Sequence, residues 1–324
     1  MDCKDTVALV GAGSMGLGWA IVFARAGMEV RLCDAAPAML DQALPAIRLR
    51  LEELVRQGLL DQRPEDVLAR IHVTADLAEA LSGVVHVQEN VPERVELKRT
   101  LFAQFDRLAP ADAVLASSTS SLPASSFTDD LPGRARCLVA HPANPPYLMP
   151  IVEIVPAPWT APEATARTRA LMERVGQAPV VLKREVNGFI YNRLQGAVLR
   201  EAYWMLKEGI ADVAEIDRVM TSGLAMRWSV IGPFETSDLN YRGGLADHAS
   251  RMAQRYFEMA QDLGAPEPWS GDLVGEAVAQ RRALLPLEAW EERVAWRDAR
   301  LMALLRLARQ RDEATPQDKA EEGA

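Results

Sequence analysis

Short apolar runs alternate with amphipathic segments over the first half of the chain. Apolar residues recur at helical spacing in the intervening segments, among them Met15–Ala26, Pro37–Gln57 and Glu93–Leu108. The apolar runs are predicted to be strands: TVALV (6–10), EVRLCD (29–34), VVHVQEN (84–90), AVLASS (113–118), ARCLVAHP (135–142) and IVEIVP (151–156). Because strands that alternate with helices form sheets covered on both faces, this pattern predicts an α/β fold with a doubly wound, mostly parallel sheet.

The strand pattern stops after VVLK (180–183), and the remaining sequence is predicted to be helical from Asn187 onward. We therefore expect a first domain over residues 1–186 and an all-helical C-terminal domain over residues 187–310. The last stretch, 311–324, is polar and lacks large apolar residues, so we expect it to be disordered.

Three glycines follow the first predicted strand and open the first predicted helix. Gly11, Gly13 and Gly16 have the GxGxxG spacing, and Asp34 ends the next strand. Glycines at this spacing are also common in ordinary turns, but the strand, glycine loop, helix and following acid together favour a Rossmann-type dinucleotide site. In that interpretation the backbone amides at the helix start bind a pyrophosphate, and Asp34 binds the adenosine ribose.

The acid at the end of the second strand also selects the cofactor. The carboxylate of Asp34 would repel a 2′-phosphate, and the residues that follow it, Ala35, Ala36 and Pro37, include no arginine to bind one. The sequence therefore predicts NAD rather than NADP.

Composition and charge narrow the function classes. A formal net charge of −9 argues against a nucleic-acid or anionic-membrane surface. The three cysteines have no CxxC pairing, and no cluster of His, Cys and acidic residues has metal-ligand spacing, so we expect neither disulfides nor a metal site. No apolar stretch is long enough to cross a membrane, and no charged-then-apolar leader begins the chain. We expect a cytoplasmic enzyme.

A histidine and a glutamate stand where catalytic groups are expected. His141 ends a predicted strand, and ligands of open α/β folds bind beyond the carboxyl ends of strands. Glu153 lies within the apolar run IVEIV, where a carboxylate needs a partner unless it faces water at a sheet edge. A His–Glu pair would make a general base for an alcohol proton. The other histidines, His72, His86 and His248, are expected to be structural.

Two polar segments could face the same crevice. The run SSTSS (117–121) leaves a predicted strand at its carboxyl end, and Asn192 begins the first helix after the domain boundary. The serine run could instead be a helix-capping loop, and Asn192 an amide on the surface of its helix.

Taken together, VGAGSMG, STSSL, HPANPP and NGFIYNRL resemble the 3-hydroxyacyl-CoA dehydrogenase superfamily. The segments GVVHVQENVPERVELKR, VAHPANPPYLMPIVEIVP and GLAMRWSVIGPFE are most similar to its L-gulonate 3-dehydrogenase and lambda-crystallin branch, with L-carnitine dehydrogenases as relatives. The resemblance implies that His141 is the base, that Glu153 orients it, and that Ser120 and Asn192 contact the reacting oxygen. It also implies a set of NAD contacts: Ser14, Met15, Asp34, Glu93 and Lys98.

The resemblance further implies a homodimer and hydride transfer from C3 of an L-3-hydroxy acid to NAD. The acyl-CoA enzymes of this family carry an aromatic pair after the histidine, whereas this chain reads HPANPP. Arg227 could bind a substrate carboxylate, so we expect a free hydroxy acid, although Arg227 could equally form a salt bridge between helices. The alternatives are a 3-hydroxyacyl-CoA substrate, L-carnitine, or an NAD-binding structural protein without turnover.

Overall fold

The computed structural model describes residues 5–263 and 268–314, and of residues 308–314 it describes the backbone alone. The chain forms two compact units. Residues up to Arg193, together with residues from Ala295 onward, make the first unit, and Leu194–Val294 make the second.

The first unit is built on one eight-stranded sheet. Its strand order is β3-β2-β1-β4-β5-β6-β7-β8, and every neighbouring pair is parallel except β6 and β7, which are antiparallel. The expected doubly wound, mostly parallel sheet is therefore confirmed. The strands are β1 (Thr6–Val10), β2 (Glu29–Cys33), β3 (Ile71–Thr74), β4 (His86–Glu89), β5 (Val114–Ser117), β6 (Cys137–Pro142), β7 (Ile151–Pro156) and β8 (Ala178–Val181).

Both faces of the sheet are covered, which explains why its strands are apolar runs rather than alternating ones. Along β1, Val7 and Leu9 belong to one buried cluster and Ala8 and Val10 to another, because successive side chains point to opposite faces. The helices of the first unit are α1 (Ser14–Arg25), α2 (Pro37–Arg56), α3 (Pro64–Leu68), α4 (Leu77–Leu81), α5 (Val95–Leu108), α6 (Ser125–Thr128) and α7 (Pro162–Arg174).

Large aromatic side chains fill the space between helices and sheet. Trp19 and Phe23 of α1 are fully buried on one face, and Phe102 and Phe105 of α5 are fully buried on the other. Burying each such side chain contributes roughly 1.5–3 kcal/mol. The sheet is thereby held between two helical layers, and its carboxyl edge remains open for a ligand.

The second unit is helical. It begins within α8 (Tyr191–Lys207) and continues through α9 (Val213–Val219), α10 (Ala225–Trp228), α11 (Pro233–Leu239), α12 (Gly244–Asp262), α13 (Gly271–Leu284) and the start of α14 (Trp290–Ala314). No helix in the described ranges has the length and apolar character needed to cross a bilayer.

The observed units differ from the expected domains at both ends of the helical part. The division falls inside α8 rather than after residue 186, and residues from Ala295 onward return to the first unit, where Met302 is 3% exposed within the sheet's core cluster. The expectation of disorder from residue 311 is wrong for 311–314, which continue α14. Residues 315–324 lie outside the described part of the chain.

Candidate active site

A crevice of about 970 Å³ lies at the carboxyl ends of the parallel strands of the first unit. Residues from the ends of β1, β2, β4, β5 and β6 line it, as do the first residues of α8. Open α/β sheets bind their ligands at this edge, where loops from several strands converge. The crevice contains most of the residues singled out in the sequence.

The glycine loop fits a bound pyrophosphate. A Cβ on Gly16 would lie 1.9 Å from the backbone oxygen of Gly11, so only glycine permits this contact between helix and loop. A Cβ on Gly13 would meet no protein atom within 4 Å, and Gly13 lines the crevice. No side chain caps the start of α1, which leaves its first amides available for an anion. Met15 lines the crevice as well, whereas Ser14 begins α1 without lining it.

Asp34 is fixed at the end of β2. One of its carboxylate oxygens accepts a hydrogen bond from the Ala12 amide at 2.7 Å, and the other accepts from the Ala36 amide at 2.9 Å. The side chain therefore joins the glycine loop to the start of α2 while it lines the crevice. This is the position from which a carboxylate can bind ribose hydroxyls and repel a 2′-phosphate.

His141 and Glu153 lie in direct contact. Antiparallel pairing of β6 and β7 sets these residues opposite each other, and Nδ1 of His141 is 2.8 Å from Oε2 of Glu153. Their side chains are 8% and 4% exposed, and His141 lines the crevice. The carboxylate fixes the orientation of the imidazole and stabilises its protonated form.

The second oxygen of Glu153 holds the start of α8. Oε1 accepts hydrogen bonds from the backbone amides of Ile190 at 2.7 Å and Tyr191 at 2.9 Å. The alternative that Glu153 faces water at a sheet edge is wrong, because β7 is an interior strand and the residue is 3% exposed. Its burial is compensated by three donors.

Glu93, Ser120 and Asn192 form a chain of hydrogen bonds at the same end of the crevice. Oε1 of Glu93 accepts from the Ser120 amide at 2.5 Å and from the Ser120 hydroxyl at 3.1 Å. The side-chain amide of Asn192 donates to the Ser120 carbonyl at 2.8 Å. Burial alone would raise the pKa of Glu93, but the Ser120 amide, the Lys98 charge and neighbouring hydroxyls together hold that pKa below its usual range.

Lys98 departs from the position expected of a cofactor contact. It is 1% exposed and does not line the crevice; its ammonium instead contacts both oxygens of Glu89, at 2.9 and 2.8 Å. Glu89 was not predicted, because Gln88 and Asn90 flank it and it does not stand out as an acid within an apolar run. Tyr191, which also lines the crevice, was missed as well, because nothing in its local sequence marks it.

The remaining candidates lie elsewhere. Arg227 is an exposed residue of α10 in the second unit and forms no salt bridge with the described residues, so its role in substrate binding stays a prediction. His72 is exposed beside Glu29, His86 is buried beneath the sheet, and His248 packs against the rings of Tyr241 and Tyr256.

Comparison with known families identifies both parts of the chain. The model of the 3-hydroxyacyl-CoA dehydrogenase NAD-binding domain matches residues 6–186, and the model of the C-terminal domain of the same family matches residues 188–283. A lambda-crystallin homolog from Bos taurus is 43% identical over 309 residues, which cover 94% of this chain and 96% of the relative. An L-carnitine dehydrogenase from Streptomyces griseus is 39% identical over 262 residues, which cover 81% of this chain and 77% of the relative.

A solved structure shares the architecture. The 5-formyl-3-hydroxy-2-methylpyridine 4-carboxylic acid 5-dehydrogenase, described as an NAD⁺-dependent dismutase, superimposes with a TM-score of 0.79 at 27% identity and covers 94% of this chain and 98% of its own. The match extends over nearly the whole of both chains and includes the NAD-binding domain. This chain belongs to the 3-hydroxyacyl-CoA dehydrogenase family and is an NAD-dependent oxidoreductase that acts on a CH–OH group.

Proposed function

We propose that this enzyme oxidises a small L-3-hydroxy acid, of the L-gulonate type, at C3 to give the 3-keto acid. The observation that carries the proposal is the buried contact between His141 and Glu153 in the crevice that also contains the glycine loop and Asp34. A general base and a dinucleotide-binding loop in one crevice are what the oxidation of an alcohol requires.

The geometry supports His141 as the base. Because Glu153 accepts from Nδ1, the neutral imidazole carries its proton there, and Nε2 is the nitrogen that can accept the proton of the substrate hydroxyl. The carboxylate of Glu153 then stabilises the imidazolium. NAD, when bound, accepts the hydride from C3. Loss of the hydroxyl proton and of the hydride from C3 converts the alcohol into a ketone.

We assign to Ser120 and Asn192 the stabilisation of the negative charge that develops on the reacting oxygen. Both line the crevice with His141, and the hydrogen bond between them fixes the loop after β5 to the start of α8. The Ser120 hydroxyl donates to Glu93 in this structure, so it would have to turn toward the substrate oxygen to stabilise that charge.

Three observations support a free acid as the substrate. The residues after His141 that line the crevice are Pro142 and Ala143, which leave more room there than an aromatic pair would. The neighbouring solved structure acts on a compound named as a carboxylic acid, and one relative is named for L-carnitine.

Two other substrates remain as alternatives. The family match supports a 3-hydroxyacyl-CoA thioester, and the Streptomyces relative supports L-carnitine. Membership of the dehydrogenase family argues against a structural protein without turnover.

The test is NADH formation by the purified enzyme with L-gulonate, L-carnitine, L-3-hydroxybutyrate and 3-hydroxybutyryl-CoA, each with NAD and with NADP. We expect turnover of L-gulonate or L-3-hydroxybutyrate with NAD. Turnover restricted to the thioester or to L-carnitine would overturn the substrate assignment.

We also infer that the enzyme is a homodimer. The second unit exposes large apolar side chains, including Trp228, Phe234 and Phe257, whose burial against a second copy would be favourable. Sedimentation equilibrium should give twice the chain mass, and Phe257→Glu should lower it. The cytoplasmic location stays a prediction of the sequence.

A further inference from the structure

A buried ion pair lies behind the catalytic end of the crevice. Glu89, the last residue of β4, is fully buried, and Lys98 of α5 is 1% exposed. The ammonium contacts both carboxylate oxygens, at 2.9 and 2.8 Å. Neither residue lines the crevice, and the proposed reaction uses neither. Burying two charges is costly, so such a pair persists only where its hydrogen bonds are satisfied.

Glu89 connects the two loops that carry the polar residues of the crevice. One oxygen accepts from the Val91 amide at 2.6 Å, in the loop after β4. The other accepts from the Ser117 hydroxyl at 2.5 Å, at the end of β5. The Ser117 oxygen in turn accepts from the Thr119 amide at 3.1 Å. A single carboxylate thus determines the spacing of both loops.

Lys98 extends the connection to the crevice surface. Its ammonium is 3.6 Å from Oε2 of Glu93, whose other oxygen binds the Ser120 amide and hydroxyl. It also contacts the Ser117 hydroxyl at 3.4 Å and the Val91 carbonyl at 3.5 Å. One ammonium therefore lies between two carboxylates, one buried and one half-exposed, and it can neutralise one of their two negative charges.

We propose that Glu89 is a positioning residue that, with Lys98 as its counterion, sets the places of Glu93 and Ser120. The inference rests on the proposed function for the role of Ser120. A displacement of about 1 Å at a reacting group lowers the rate by up to about 100-fold, so a rigid support behind Ser120 has a measurable effect on turnover.

Glutamine cannot replace Glu89. The carboxylate accepts hydrogen bonds on both oxygens from donors on three groups, Lys98, Ser117 and Val91. A glutamine would keep one accepting oxygen and would turn an NH₂ group toward a donor, so at least one loop contact is lost. The shape of the side chain is nearly unchanged, which makes Glu89→Gln a test of the hydrogen bonds rather than of packing.

The experiment compares five variants of the full chain with the wild type: E89Q, K98M, E89Q/K98M, S120A and E89Q/S120A. K98M leaves a buried carboxylate without its cation and is expected to be unstable, whereas the double variant leaves no charge of this pair buried. The matched control is D106N, which breaks the Asp106–Arg136 pair of comparable burial, at 3.0 Å and 9% and 11% exposed, away from the crevice. The readouts are kcat and the hydrogen exchange of amides in residues 117–122.

We expect E89Q and E89Q/K98M to exchange the amides of Thr119 and Ser120 faster and to lower kcat by about 10- to 100-fold. D106N should lose stability without either effect. The variant S120A lacks the hydroxyl that Glu89 positions, so adding E89Q to S120A should lower kcat much less than E89Q lowers it in the wild type.

Amide hydrogen exchange at the wild-type rate in E89Q would overturn the proposal. So would a reduction of kcat in E89Q/S120A equal to the product of the two separate reductions. Exchange is measured without substrate, so the positioning role can be judged even if the wild type oxidises none of the acids proposed above.

Discussion

Glu153 serves three donors with two oxygens. Oε2 binds the imidazole of His141, and Oε1 binds the amides of Ile190, just before α8, and of Tyr191, its first residue. One carboxylate thus orients the base and places the helix that carries Asn192. A substitution here changes the catalytic pair and the helix start together, and the two effects can be separated by measurement.

Replacing Glu153 with glutamine should lower kcat by roughly 10²- to 10⁴-fold. Glutamine has one accepting oxygen, and if that oxygen stays with the amides of Ile190 and Tyr191, its NH₂ group faces Nδ1 of His141 and favours the tautomer that cannot accept a proton. NADH affinity, measured by fluorescence titration, should stay near the wild-type value. The double variant with His141→Gln should be no slower than His141→Gln alone; a further large loss would show that the two residues act separately.

Replacing Asp34 with asparagine should reduce the preference for NAD over NADP by roughly tenfold or more. The substitution removes the charge that repels a 2′-phosphate and keeps an accepting oxygen for one of the two amides, Ala12 or Ala36, that the carboxylate binds. The measurement is the ratio of kcat/KM for the two cofactors. Asp41→Asn, on the exposed face of α2, makes the same change in net charge and should leave the ratio unaltered. An unchanged ratio in Asp34→Asn would remove Asp34 from cofactor selection.

Two glycines at the junction of β1 and α1 offer a matched pair of variants. Gly16→Ala would place a Cβ 1.9 Å from the Gly11 backbone oxygen, so the helix must move, at a cost of about 1–3 kcal/mol in unfolding free energy. Gly13→Ala meets no protein atom within 4 Å and should fold with the wild-type Tm. Because Gly13 faces the crevice, its methyl group should instead weaken NADH binding by about tenfold or more. Equal effects of both substitutions on Tm would contradict these assignments.

The starts of two helices show how side chains override local pattern. Sequence periodicity predicts helices from Glu93 and from Gly188, whereas α5 begins at Val95 and α8 at Tyr191. Glu93 stays outside its helix and accepts hydrogen bonds from Thr119 and Ser120. Gly188 has a φ of +75° and Phe189 a φ of +49°, which a helix cannot include, and Glu153 binds the amides that follow. In both places, a helix that starts later than predicted has a carboxylate hydrogen-bonded to residues far away in the sequence.

Stability of the whole molecule should depend on pH through His86. Burial lowers its pKa to about 4 from the ordinary 6.5; the hydrogen bond with Gln88 opposes this shift and the Arg167 charge adds to it. Because the unfolded chain binds a proton more readily than the folded one, stability is full above pH 6.5 and falls as the pH drops toward 4. The contribution lost by about pH 5 is about 2 kcal/mol.

His86→Gln keeps a donor for Gln88 and removes the titrating group, so its urea midpoint should fall less between about pH 7.5 and pH 5 than that of the wild type. His72→Gln, at an exposed histidine, is the control and should follow the wild type. Parallel curves for the wild type and His86→Gln would show that His86 carries none of the pH dependence.

Prediction from the sequence was most successful where the signal is local. The strand, glycine loop and helix from Thr6 to Arg25 lie within one short segment, and their pattern predicted their order and a dinucleotide site. Asp34, which follows closely in the chain, predicted NAD. The sequence could not predict that residues from Ala295 onward belong to the first unit. Whether a helix packs on one unit or the other depends on surfaces that are far apart in the chain. Glu89 was out of reach as well, because it stands between Gln88 and Asn90 and no local pattern shows that it is buried.

The sequence by itself determined the fold class, the cofactor, the candidate base and its carboxylate partner, because apolar periodicity, glycine spacing and residue chemistry are properties of short segments. Only the tertiary structure decided which groups touch. The register of the antiparallel pair β6 and β7 places Glu153 opposite His141, and a slip of one residue would turn one side chain to the other face of the sheet. The packing of α5 on the sheet likewise decided that Lys98 pairs with buried Glu89, because such contacts depend on how distant elements dock.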